Sequence, residues 1–105
     1  MTTYDIVIIG GGPAGMSAAI YGARFLRDCV VIAETKGGLL PTIDAIENYP
    51  GIPIATGMNL AESFENHVKK YNAPIIEDAV VDIRKDGEGF VVKTKKDVEF
   101  RGKTV

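Results

Sequence analysis

The sequence contains very little cysteine: of its 105 residues, Cys29 alone is a cysteine. A single cysteine excludes an internal disulfide, a CxxC redox pair and a cysteine-based zinc site within these residues. Any dithiol chemistry in which the chain takes part therefore has to come from elsewhere. Cys29 opens an apolar run, so we expect it to be a buried, inert small hydrophobe.

The chain also lacks an excess of either charge and any long hydrophobic run. Its 12 basic and 14 acidic residues give a formal net charge of −2, with no basic stripe that would favour a nucleic-acid backbone. The first apolar run stops at Gly10, far short of the roughly 20 residues that span a bilayer, and no basic segment precedes it. We therefore expect a soluble cytoplasmic protein with no nucleic-acid partner and no membrane attachment.

The first 34 residues alternate between strand and helix patterns. Tyr4–Ile9 and Cys29–Ala33 are apolar runs of strand length, rich in β-branched residues, as in a parallel sheet covered on both faces. Between them a helix is predicted from Pro13 to about Leu26. The pattern predicts a βαβ unit, right-handed by default, and therefore an α/β fold.

Downstream of this unit the sequence predicts a long loop, a second helix and three strands. The loop covers 35–56, the helix covers 57–71, and the strands cover Ile75–Ile83, Phe90–Lys95 and Val98–Val105. Turns at Asp86-Gly87 and at Lys95-Lys96-Asp97 join the three strands into a β-meander. The last strand has no turn or cap to end it, so we expect the chain to stop in mid-strand.

A glycine-rich turn joins the first strand to the first helix. Gly10-Gly11-Gly12-Pro13-Ala14-Gly15 matches G-x-G-x-x-G, and an acidic residue, Glu34, follows at the end of the next strand. Gly10 permits the tight turn, Gly12 lets a pyrophosphate approach the backbone, and Gly15 lets helix and strand pack closely. The motif has the structural context that a dinucleotide-binding site requires.

The helix N-terminus and Glu34 together predict the kind of dinucleotide. Unpaired N–H groups and the helix dipole stabilise a pyrophosphate at the start of the helix. The carboxylate of Glu34 would accept hydrogen bonds from two ribose hydroxyls and repel a 2′-phosphate, which favours FAD or NAD over NADP. The motif alone does not separate FAD from NAD. The alternative, that the glycines serve packing only, leaves Glu34 unexplained.

Several runs of residues resemble those of the thioredoxin reductase family. They are Tyr4 to Gly15, Ala18-Ala19-Ile20-Tyr21, Gly37-Gly38-Leu39-Leu40, Glu47-Asn48-Tyr49-Pro50-Gly51 and Thr56-Gly57. Glu-Asn-x-Pro-Gly at this distance from the glycine motif is fairly specific to the family and its close relatives. The resemblance implies a Rossmann-like, three-layer α/β domain, with a parallel sheet plus a β-meander. Residues 1–105 would be the N-terminal part of this FAD-binding domain, which is incomplete.

The resemblance also implies which residues hold FAD. Gly37 and Gly38 would let the loop pass close to the flavin end, and Asn48 would hydrogen-bond the edge of the isoalloxazine ring. The backbone near Val80 would meet the adenine. The alternatives are that Asn48 is a turn residue and Val80 an ordinary strand valine. Where the family has Gly-Gly-Gln-Leu this chain has Leu39 in third place, which cannot make the glutamine's polar contact to the cofactor.

By the same resemblance the parent protein passes electrons from NADPH or NADH through FAD to a disulfide, typically that of a thioredoxin-like protein, and forms a homodimer. An NADPH-binding domain carrying the CxxC pair and a C-terminal FAD segment would complete it, and neither is among these residues. Half a flavin site should bind weakly. Two alternatives remain open: a ferredoxin–NADP reductase-like enzyme, and a non-catalytic remnant that binds only the adenosine half of a dinucleotide.

Two further residues are predicted to be ordinary. His67 borders the apolar face of the second helix, where a packed or half-exposed histidine is far commoner than a general acid or a metal ligand. Lys36 is within reach of a phosphate, and we interpret it as a solvated loop lysine. The sequence therefore predicts no catalytic residue and no metal ligand.

Overall fold

The computed structural model describes all 105 residues, which form one six-stranded sheet with two α-helices. In chain order the elements are β1 (Thr2–Ile9), α1 (Pro13–Arg24), β2 (Cys29–Ala33), α2 (Gly57–Lys70), β3 (Ile75–Glu77), β4 (Val80–Asp86), β5 (Gly89–Thr94) and β6 (Glu99–Thr104). A short 3-10 helix, Leu40–Thr42, lies between β2 and α2. The strand order is β3-β2-β1-β6-β5-β4.

The predicted βαβ unit is confirmed. β1 pairs in parallel with β2, with Ile6 opposite Cys29, and every residue of β2 is buried. These strands are continuously apolar because both of their faces are covered. α1 ends at Arg24, slightly earlier than predicted, because the chain leaves the helix through Leu26, whose φ is +59°.

The prediction of one strand over Ile75–Ile83 is wrong, because this segment forms two strands at opposite edges of the sheet. β3 pairs in parallel with β2, whereas β4 pairs antiparallel with β5. Between them Asp78 is buried, and its carboxylate accepts a hydrogen bond from the N–H of Ala79 at 2.8 Å. This local bond replaces the sheet ladder and lets the chain leave the first edge.

The parallel strands separate two buried apolar clusters. One cluster lies on the helix side and consists of Ile8, Met16, Ala19, Cys29, Val31, Ala33, Val68 and Ala73. The other lies on the opposite side and consists of Val7, Val30, Ile32, Val92 and Phe100, with Tyr4, Ile76 and Val80 packed against them. Residues of both edge strands, Ile76 and Val80, pack against the second cluster, so the meander contributes to the layer on the face opposite the helices. The predicted three layers are confirmed.

The turns and the second helix lie close to their predicted positions. The loop between β4 and β5 has Gly87 at φ +63°, and the turn between β5 and β6 has Asp97 at φ +64°. α2 begins at Gly57 as predicted, behind Thr56, whose hydroxyl accepts a hydrogen bond from the N–H of Asn59 at 3.1 Å. Neither helix has the length and apolar character needed to cross a membrane.

Candidate functional site

A cleft of about 290 Å³ opens at the carboxyl ends of β1 and β2. Its walls are the glycine turn, the end of β2 and the loop that follows, through Gly10, Gly11, Gly12, Glu34, Thr35, Gly38 and Leu39. Open α/β sheets bind ligands at this end of their strands. The sequence predicts all of these residues as site residues except Gly11 and Thr35.

The glycine turn has the geometry that the motif predicts. Gly10 has a φ of +112°, a backbone angle that residues with a side chain rarely adopt. A Cβ atom on Gly15 would lie 1.9 Å from the carbonyl oxygen of Gly10, so α1 packs directly against the turn. A Cβ atom on Gly12 would meet no atom within 4 Å and would project into open space. The tight turn and the close packing are confirmed, and the space beside Gly12 fits a pyrophosphate.

Gly11 has a role that the sequence analysis missed. This residue is buried, and a Cβ atom on it would lie 2.5 Å from the Cβ of Ala33 in β2. Its carbonyl oxygen accepts a hydrogen bond from the N–H of Gly37 at 3.1 Å, which ties the loop after β2 to the turn. The motif leaves this position free, so the glycine itself was the one available signal.

The N-terminus of α1 is open to an anion. Gly12 is the N-cap residue and supplies no side-chain cap, and the first turn carries no acidic residue. Pro13 is the first helical residue, as predicted, and both Pro13 and Ala14 are exposed. The N–H groups of the first turn and the positive end of the helix dipole therefore lie beside the cleft without a competing carboxylate.

Glu34 places a carboxylate in the same cleft. It follows Ala33, the last residue of β2, and its side chain is exposed. The ion pairs of the chain involve other acidic residues: Asp5, Glu65, Asp86, Asp97 and Glu99. The oxygens of Glu34 are therefore available to accept hydrogen bonds from a bound ribose.

The loop after β2 closes the side of the cleft. Gly37 and Gly38 have φ values of +88° and +61°, which explains the glycine pair. A Cβ atom on Gly38 would lie 3.2 Å from the Cα of Gly12, so Gly38 lies directly beside the turn. Gly37 is buried behind it, towards α2, and does not line the cleft. Leu39 is 82% exposed at the rim.

Asn48 lies in a second, more apolar cleft of about 410 Å³. Its lining comes from the loop and the two helices: Pro13, Leu40, Ile43, Ala45, Ile46, Asn48, Tyr49, Leu60 and Phe64. Since Pro13 opens α1, the second cleft lies next to the N-terminus that borders the first. The hydrogen-bonded turn that follows spans Tyr49–Ile52, so Asn48 precedes that turn and is not one of its residues.

Val80 lies in neither of these two clefts. It pairs with Thr94 at the start of β4 and packs against the cluster beneath the meander. The structure therefore shows the ordinary strand role for this valine. A contact of its backbone with adenine stays a prediction.

Three other residues were singled out from the sequence: Cys29, His67 and Lys36. Cys29 is buried, as expected, and burial raises the pKa of its thiol, while His67 is exposed on α2. Lys36 keeps 39% of its side chain exposed, as expected of a solvated loop lysine, but its Nζ also lies 3.3 Å from Oε1 of Glu65, a partner that was not predicted. The sequence could not reveal this pair, since it depends on where α2 packs.

Similarity to known proteins decides the family. The family model described as pyridine nucleotide-disulphide oxidoreductase matches residues 4–105. The chain belongs to this family. Thioredoxin reductase of Peptoclostridium acidaminophilum is 39% identical over 104 residues, which are 97% of this chain and 33% of that protein. Thioredoxin reductase of Bacillus subtilis is 35% identical over 105 residues, which are 97% of this chain and 32% of that protein.

Solved structures of thioredoxin reductases share the fold. The thioredoxin reductase of Streptococcus pyogenes matches with a TM-score of 0.92 and 35% identity, covering 97% of this chain and 33% of that one. A ferredoxin-flavin thioredoxin reductase from Clostridium acetobutylicum matches with a TM-score of 0.88 and 31% identity, covering 98% and 36%. The predicted resemblance is confirmed, and the chain spans about a third of the length of these relatives.

Proposed function

We propose that this chain is the part of an FAD-binding domain that holds the adenosine and pyrophosphate of the cofactor. The whole protein is then a flavoprotein that passes electrons from NADPH or NADH through FAD to a disulfide such as that of thioredoxin. The observation that carries the proposal is the first cleft, where an uncapped helix N-terminus, four glycines and one free carboxylate meet. The family to which the chain belongs supports it.

The proposal assigns each part of the cofactor to particular residues. Gly10, Gly12 and the first turn of α1, with Pro13, Ala14 and Gly15, receive the pyrophosphate. Glu34 accepts hydrogen bonds from the adenosine ribose, and the backbone near Val80 meets the adenine. The loop with Gly37, Gly38 and Leu39 leads towards the second cleft, where Asn48 takes the edge of the flavin. Bound FAD supplies the redox chemistry, and these residues bind and orient it.

The state of Cys29 indicates where the disulfide chemistry takes place. Its side chain is buried, its Sγ donates a hydrogen bond to the carbonyl oxygen of Arg27 at 3.6 Å, and burial raises the pKa of the thiol. A thiol in this state is a poor nucleophile. The proposal therefore places the reactive cysteine pair outside these residues. It also takes the nicotinamide site to lie in another domain and the whole protein to be a cytoplasmic homodimer.

A nucleotide titration monitored by two-dimensional amide NMR tests the proposal, because it maps the binding site even when the affinity is weak. We expect ADP and FAD to shift the amide signals of Gly10, Gly11, Gly12 and Gly38 in this chain. We expect ADP that carries a 2′-phosphate to bind more weakly, because it approaches the carboxylate of Glu34. Saturating FAD and ADP that leave these signals unmoved, or that shift a different surface, would contradict the proposed site.

A further inference from the structure

Two lysines form ion pairs with one carboxylate near the first cleft, which we call the nucleotide cleft. Nζ of Lys36 lies 3.3 Å from Oε1 of Glu65, and Nζ of Lys69 lies 3.0 Å from the same oxygen. The pair of Glu65 with Lys69 lies within α2, one turn apart. The pair with Lys36 joins α2 to the loop after β2, and the side chain of Glu65 that makes it is only 18% exposed.

Lys36 belongs to the loop whose neighbouring residues form the wall of the cleft. Thr35 precedes it and Gly38 follows soon after, and both line the cleft. Between them Gly37 is held on two sides: its N–H donates to the carbonyl oxygen of Gly11, and a Cβ atom on it would lie 2.8 Å from the Cβ of Ala61 in α2. The loop is thus held between the glycine turn and α2.

Ala61 and Glu65 lie on the same face of α2, since residues four apart in a helix are neighbours. They contact two successive residues of the loop, one by packing and one by charge. We propose that Glu65 is a positioning residue for the nucleotide cleft, and that its ion pair with Lys36 holds the 35–39 loop against the glycine turn. Glu65 touches no ligand and acts through Lys36. The inference rests on the proposed function of the cleft.

The competing explanation is that Lys36 attracts the phosphates directly and that Glu65 draws its charge away. The two explanations predict opposite effects of Glu65→Gln on ADP affinity. If the ion pair positions the loop, Lys36→Met and Glu65→Gln each weaken ADP binding about two- to fivefold, as expected for one partly exposed ion pair, and the double variant loses no more. If Lys36 attracts the phosphates, Lys36→Met weakens ADP binding and Glu65→Gln strengthens it.

Lys69→Met is the matched control, because it removes the other lysine from the same carboxylate without touching the loop. We expect its ADP affinity, measured by calorimetry, to stay within about twofold of the wild type. Lys36→Arg keeps the positive charge and should restore most of the affinity that Lys36→Met loses. In about 1 M salt the difference in ADP affinity between the wild type and Glu65→Gln should become smaller without vanishing, because a partly buried pair is screened less than exposed charges are.

Hydrogen exchange without nucleotide gives a readout that does not depend on binding. The N–H of Gly37 should exchange faster in Lys36→Met and Glu65→Gln than in the wild type, and should be unchanged in Lys69→Met. Unchanged ADP affinity in both loop variants overturns the inference while the proposed function stands. A wild-type chain that does not bind ADP overturns the proposed function, and the exchange rate of the Gly37 N–H still tests whether the ion pair holds the loop. Equal losses of ADP affinity in Lys36→Met, Glu65→Gln and Lys69→Met would indicate general destabilisation and would also overturn the inference.

Discussion

Replacing Gly12 with alanine should separate ligand binding from folding. The φ of Gly12 is −77° and its ψ is −171°, which alanine adopts without strain, and the new Cβ would meet no atom within 4 Å. Restricting the unfolded chain stabilises the variant by about 0.4–1 kcal/mol. Alanine is a poorer N-cap than glycine by a similar amount. The two effects oppose each other, so we expect the free energy of unfolding to change by less than about 0.5 kcal/mol.

The effect of the same substitution on ADP binding should be much larger. The methyl group projects into the space beside the first turn of α1, which is where we propose that the pyrophosphate approaches the backbone. Losing one hydrogen bond to a charged group costs about 1.5–3 kcal/mol. This corresponds to a loss of about 10- to 150-fold in ADP affinity.

Calorimetric titration with ADP and unfolding in urea, on the same samples, measure the two effects. Ala18→Gly is the opposite control, because Ala18 is exposed on α1 away from the cleft. It should lower the free energy of unfolding by about 1 kcal/mol and leave ADP binding unchanged. The reasoning is refuted if Gly12→Ala binds ADP as tightly as the wild type, or if its loss of affinity is no more than its loss of stability explains.

Three further predictions concern stability, specificity and pH. Gly15→Ala should lower the free energy of unfolding, measured in urea, by about 1–3 kcal/mol, because its Cβ overlaps the carbonyl of Gly10. Glu34→Gln should weaken ADP binding severalfold and bind 2′-phosphorylated ADP relatively better, as calorimetry with both nucleotides would show. The N–H of Asp28, 2.9 Å from the carboxylate of Asp5, and then Lys103 hold the pKa of Asp5 below its usual value. The stability that the ionised Asp5 contributes is therefore complete above its unfolded pKa of about 3.9 and is lost as pH falls through the lower pKa of the folded state. Urea unfolding at a series of acidic pH values should show a smaller loss of stability in Asp5→Asn than in the wild type.

Each of these predictions has a result that contradicts it. Wild-type stability in Gly15→Ala would mean that α1 does not pack on the turn as described. An unchanged ratio of the two nucleotide affinities in Glu34→Gln would remove the carboxylate from the ribose site. Identical pH dependence of unfolding in Asp5→Asn and the wild type would show that this carboxylate does not favour the folded state.

The parts of the fold that could be predicted are those whose determinants lie close together in sequence. The glycine turn, Pro13 at the first helical position and the apolar run of β2 depend on neighbouring residues, so pattern and propensity identify them. The break at Asp78 depends on which strands pair with the two halves of the segment: Ile75–Glu77 pairs with β2 at one edge of the sheet, and Val80–Asp86 pairs with β5 at the other. A run of strand-forming residues carries no signal of those distant partners.

The same distinction holds within the candidate site. Glu34 and the glycines of the motif were predictable because the βαβ unit brings them together whatever the rest of the chain does. The contact of Gly11 with β2 and the ion pair of Lys36 with Glu65 require the packing of elements against each other, which no single segment encodes. Residues whose role depends on the motif itself were therefore predictable, whereas contacts between the loop, β2 and α2 were not.

The two clefts differ in how firmly the fold holds them, and this difference should set how much each contributes to binding. The first cleft is built on the ends of two buried, paired strands, with the N-terminus of α1 packed against the turn. The loop of the second cleft is held by isolated bridges, Ile46 with Ala55 and Tyr49 with Ile52. Ordering a loop opposes binding, whereas a preformed site avoids that cost. If the chain binds FAD as proposed, we therefore expect the adenosine half of the cofactor to contribute most of the affinity, and the apolar cleft around Asn48 to contribute less until other contacts fix its loop.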